Sequence, residues 1–135
     1  MIARKLQGLV LLCALTLGAT TTNLLGQDEF PFDKEMLLDV RPMPGSKRIP
    51  NVDIAANGRV AIEMWCDRVD GQVVVAGDTI TVITGATSGR ACSPERARAD
   101  AEFLAMLAEV THWRRQGSIV TLVGPRTMRF RLLTN

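Results

Sequence analysis

Three cysteines, one histidine and a scatter of aspartates are the residues of this chain that could do chemistry. Cys66 lies in Met64-Trp65-Cys66-Asp67-Arg68. Cys92 closes Ala86-Thr87-Ser88-Gly89-Arg90-Ala91-Cys92 and is followed by Ser93-Pro94. Cys66, Asp67, Cys92 and His112 could supply four metal ligands, but their spacing has none of the paired C-x-x-C character of zinc sites. The absence of C-x-x-C also argues against a redox-active disulfide. His112 is the only histidine. A dyad or triad built on it needs a nucleophile, and no serine or cysteine motif flanks it. Asp67, Asp70 and Asp78 stand near turns, where aspartate caps backbone amides. Calcium would need a denser oxygen loop, and no glycine order resembles a phosphate loop. These residues therefore assign no catalytic, cofactor-binding or metal-ligating role. Trp65 remains as a possible contact surface, because tryptophan is over-represented where proteins bind.

The cysteines read differently once the first residues are considered. Arg4 and Lys5 precede an apolar stretch from Leu6 to Leu17, and Gly18, Ala19 and a run of threonines follow. Such an order describes a secretory signal peptide over residues 1–19, with cleavage between 18 and 26. The apolar run is short for a membrane-spanning helix, so no span is expected after cleavage. Cys13 would leave with the leader. One pair then remains, and in an oxidising compartment that arithmetic favours a Cys66–Cys92 disulfide. Charge changes as well. The chain holds 16 basic and 14 acidic residues, and loss of Arg4 and Lys5 leaves it formally neutral. The clusters Arg114-Arg115 and Arg126, Arg129, Arg131 then read as solvated edges, and a nucleic-acid partner is not expected.

Positioning these residues falls to short elements. Residues 20–34 read as a linker and 35–135 as one domain. Glu35 to Val40 reads as a strand, and the proline-containing stretch Arg41 to Pro50 as a loop. Asn57-Gly58 predicts a hairpin, Asp70-Gly71 a tight turn, and Gly77-Asp78 a second hairpin. Between them Val60, Ile62 and Met64 share one face of a strand. Ser93 and Pro94 predict a helix start. Phe103, Leu104, Leu107, Val110 and Thr111 recur at helical spacing, with Arg98 and Glu102 as an exposed pair. His112 would then sit on the helix, facing solvent. Arg114, Arg115 and Gly117 suit the helix end. Ile119 to Val123 and Met128 to Leu133 close the chain as strands, with Arg129 and Arg131 on the wet side. The fold class that follows is α+β: an antiparallel β-sheet of short strands packed on one amphipathic α-helix. Phe103, Leu104 and Leu107 are expected to pack against Val60, Ile62, Ile119 and Phe130.

With the motifs in this order, residues 35 to 133 resemble the META domain family of the heat-shock-inducible HslJ type. Trp65-Cys66-Asp67 occupies the family's first cysteine motif, with Asp67 where asparagine is usual. Thr87 to Cys92 occupies the second. Leu104 and Leu107 match the helix core and Trp113 the aromatic after it. Leu122 with Met128-Arg129-Phe130 resembles the closing strand pair. The resemblance implies a periplasmic or secreted domain associated with stress tolerance, with no established catalysis or cofactor. The expected function is a non-enzymatic envelope protein, whose partner is another envelope protein or a small ligand. The alternative is a small-molecule or peptide-binding module using the sheet near the Cys66–Cys92 link.

Overall fold

The computed structural model describes residues 28–133. Cys13, the leader and most of the linker lie outside the described residues. Those described form eight strands and one helix: β1 (Glu35–Leu38), β2 (Asn51–Ile54), β3 (Arg59–Glu63), β4 (Arg68–Ala76), β5 (Thr79–Thr87), α1 (Pro94–Ala108), β6 (His112–Gln116), β7 (Ile119–Val123) and β8 (Met128–Leu132). Each strand pairs antiparallel with the next. β1 also pairs with β8, through Met36↔Leu132 and Leu38↔Phe130. The sheet therefore closes into a barrel: the antiparallel strands and the single helix are as expected, but the sheet closes on itself and is not simply packed on that helix. Closure removes both sheet edges and the unpaired backbone groups they would expose.

Alternation along the strands decides what lies inside. Met36, Ile62, Val120 and Phe130 are fully buried. In β8, Met128, Phe130 and Leu132 point inward while Arg129 and Arg131 point outward, as a period of two requires. Gly77, at φ +59°, leads the β4–β5 turn, and Gly117, also at +59°, leads the β6–β7 turn. A two-residue hairpin reserves that position for glycine.

Four expectations are corrected here. Asp70-Gly71 is no turn but lies within β4, beside a register shift between Val69 and Gly71. A Cβ at Gly71 would collide with the Ile83 carbonyl oxygen, so this glycine permits close strand approach instead. The helix starts at the Ser93 cap as expected, its hydroxyl accepting from the Arg96 amide, but ends at Glu109. Residues 112–116 alternate in burial and form β6, with Gly117 as a hairpin residue and not a helix cap. Glu102 pairs with Arg126 at 2.8 Å, not with Arg98. Finally, Phe30, inside the expected linker, is buried in the core. Its ring meets Trp113 edge-on at 5.0 Å.

In an up-and-down barrel the loops after odd-numbered strands share one end. Helix α1, the β5–β6 connection, lies across that end and touches each of its loops. Arg96 donates to the Gly45 carbonyl at 3.3 Å, Asp100 holds the β3–β4 loop, and Glu102 pairs with Arg126 of the β7–β8 loop. Phe103 and Leu107 enter the barrel from this side, with Phe103 6.5 Å from Phe130 between ring centroids. Leu104 and Ile119 are only half-buried and Thr111 is exposed, so the stripe is narrower than expected. Phe30 packs at the opposite end, near the Gly77 turn.

Candidate functional site

The helix-covered end carries the sequence motifs. Cys66 and Cys92 are joined by a disulfide with their Cα atoms 6.0 Å apart. The bond ties the β3–β4 loop to the approach of α1. Two carboxylates organise the same place. Asp100 is only 5% exposed, and it accepts from the amides of Cys66 at 3.2 Å and Asp67 at 2.8 Å. Asp67, also buried, accepts from the Arg68 amide at 2.7 Å and the Gly89 amide at 3.2 Å. The Ser88 hydroxyl donates to it as well. That hydroxyl first, and then the Arg68 amide, hold the Asp67 carboxyl below its usual value, against an opposing push from burial. An asparagine here could not accept with both side-chain atoms; the aspartate does, and so joins the β3–β4 and β5–α1 loops.

The Cys66 carbonyl oxygen completes the node. It accepts from Arg48 at 3.1 Å and Arg90 at 3.0 Å. Arg48 also pairs with Glu63 at 2.8 Å. Four segments thus converge on one residue: the β1–β2 loop, the β3–β4 loop, the β5–α1 loop and the helix. Asp100 was invisible as a site residue because it lies in a charged run, Arg96 to Glu102. The signal was its register, since Asp100, Phe103 and Leu107 stand at i, i+3 and i+7 on the buried face.

Trp65, one residue before this node, is half-buried. It lines a cleft of about 370 Å³ with Leu38, Phe103, Met106 and Met128, and with Val40, Asp39, Ala99, Glu102, Thr127 and Arg129 also on its walls. Phe130 and Leu107 are buried in the core, and this cleft lies beside the helix; a second hollow, of about 550 Å³, lies at the opposite end by Phe30, Phe32, Val75 and Trp113. A smaller hollow of about 270 Å³ lies by Asp67, Arg90 and Cys92. Trp113, the second residue of β6, is buried beside the Gly77 turn, where its indole N–H donates to the Gly77 carbonyl at 2.9 Å.

His112 is exposed, as expected, but on β6 and not on the helix. Its Nδ1 lies 2.9 Å from the Thr111 hydroxyl. The structure does not bring it to the cysteines, which are bonded to each other. Among the described residues, no group of three or more His, Cys, Asp or Glu side chains is placed to hold a metal. No described helix is long and apolar enough to cross a membrane.

A family model of the META domain matches residues 36–134. Two structures solved by NMR are similar in fold. One, 19% identical, has a TM-score of 0.58 over 74% of this chain and 89% of its own. The other, from Burkholderia xenovorans, is 15% identical, with a TM-score of 0.64 over 77% of this chain and 84% of its own. No curated protein matches the sequence.

Proposed function

The chain belongs to the META domain family, and from that premise we propose that it is a non-catalytic domain, exported to the periplasm or beyond, that serves envelope stress tolerance by holding a small apolar molecule beside Trp65. One observation carries this reading: a half-buried tryptophan on the wall of a cleft of about 370 Å³ whose other walls are mainly apolar. Small-molecule sites typically occupy roughly 300–1,000 Å³ and are lined in this way, with a few polar groups at the mouth. The driving force would be burial of apolar area.

The node next door supports the same reading. Trp65 precedes a residue fixed by a disulfide, by two arginines on its carbonyl and by Asp100 on its amide. A wall held so firmly loses little freedom when a ligand arrives, and that saving appears as affinity. Export is supported by the cross-link itself, since disulfides persist in oxidising compartments, and by the leader-like order of residues 1–19.

The neutral dye N-phenylnaphthylamine tests this. Its emission should rise saturably on titration with the protein. Trp65→Ala should weaken binding by at least about 2 kcal/mol, as loss of a central aromatic anchor does, while circular dichroism stays unchanged. Val74→Ser, at a position 56% exposed and absent from the cleft walls, should change nothing. Binding that ignores the Trp65 substitution would sink the proposal.

A further inference from the structure

Charge at the mouth of the Trp65 cleft is unevenly settled. Its two carboxylates are both paired: Asp39 with Arg131 at 3.2 Å and Glu102 with Arg126 at 2.8 Å. Arg129 also lines the cleft, on the outward face of β8 between the inward Met128 and Phe130. Its guanidinium makes no hydrogen bond or ion pair among the described residues. Among the charged residues lining the cleft, Arg129 is thus the one with no ion-pair partner among the described residues. We infer that the cleft takes an anionic amphiphile, an alkyl chain bearing a single carboxylate or similar anion, with Arg129 as its counter-ion. This rests on the cleft reading above and adds the class of ligand.

The chemistry is complementary at both ends. The alkyl body would lie against Trp65, Leu38 and Met128. The head would stay at the rim, where the planar guanidinium offers paired N–H donors to two oxygens. A neutral head would leave Arg129 to water. A cationic head would face Arg129 directly, with the nearby carboxylates already engaged, and like charges brought together oppose binding. The three arginines of the last segment, which look like a solvated edge in the sequence, therefore divide: two hold carboxylates and one is left to select an anion.

Decanoate, decanol and decylammonium share one chain and differ in charge, so they separate the two ideas. Each is titrated into the full chain near neutral pH, below micelle formation, while the Trp65 indole N–H resonance is followed by NMR. That resonance is assigned by its loss in Trp65→Phe. Decanoate and decanol should both shift it. Arg129→Gln should weaken decanoate on the order of five-fold, as loss of a partly exposed ion pair does, and leave decanol unchanged. Arg129→Glu should reverse the order of decanoate and decylammonium. If Arg129→Gln weakens decanoate and decanol equally, or neither, the anion preference is wrong while the cleft reading stands. Decylammonium binding as tightly as decanoate has the same meaning. If none of the three moves the Trp65 resonance, both readings fall.

Discussion

Asp67 holds its charge against backbone amides and a hydroxyl, and the consequence is a pH dependence with a definite sign. Its carboxyl lies below the ordinary aspartate value in the folded chain. The stabilisation is therefore fully present above the unfolded pKa, about 3.9, and is lost as pH falls from there through the folded value. Urea titrations of the native chain and Asp67→Asn should show the native chain more stable at neutral pH, with its advantage shrinking below about pH 4. An advantage that is constant with pH would mean that the Asp67 charge is not engaged. Asp100 acts through geometry. It satisfies two buried amides, and Asp100→Ala would leave both without an acceptor. At roughly 1–3 kcal/mol for each of the two orphaned amides, the loss should be about 2–6 kcal/mol in the same titration. A change within about 0.5 kcal/mol would mark it as an ordinary surface residue.

Helix α1 and the disulfide share the task of closing one barrel end. Leu107 is 1% exposed, and Leu107→Ala should cost about 2–5 kcal/mol from lost burial and the cavity left behind. Replacing Cys66 and Cys92 by alanine frees a loop with a sequence separation of 26, which the chain-entropy model sets at roughly 3–4 kcal/mol. Thermal and urea unfolding of the single and combined variants measure both. Losses of this size together approach the whole stability of a small domain, so the combined variant should be largely unfolded at room temperature. The helix was legible at its start, where Ser93-Pro94 is local chemistry. Its end was not. Val110 and Trp113 continue the helical spacing of Phe103 and Leu107, and their burial satisfies either reading. The choice of strand for 112–116 came from pairing with β7, through Trp113↔Leu122 and its neighbours.

The barrel as a whole has one thin seam. β5 and β6 share a single registered pair, Thr79↔His112, whereas β3–β4 and β6–β7 each share five. The seam's flanking bonds run from the Ile80 amide to Thr111 and from the Trp113 amide to Asp78, at 3.0 and 2.9 Å. Local opening follows the least-supported ladder. Hydrogen exchange should therefore release the amides of Ile80 and Trp113 before those of the β3–β4 ladder; equal protection would show that the barrel opens only as a unit. Sequence alone settled what neighbours along the chain can settle. The glycine-led turn at Gly77, the capped helix start and the alternation of Met128, Phe130 and Leu132 are all local in cause, and the pairing of Cys66 with Cys92 followed from counting cysteines. The closure of β1 on β8, the burial of Asp100 and the cleft beside Trp65 came from the tertiary structure. Each depends on residues far apart in the chain meeting in space, as Met36 meets Leu132, and an alternating strand carries the same pattern whether its sheet is open or closed.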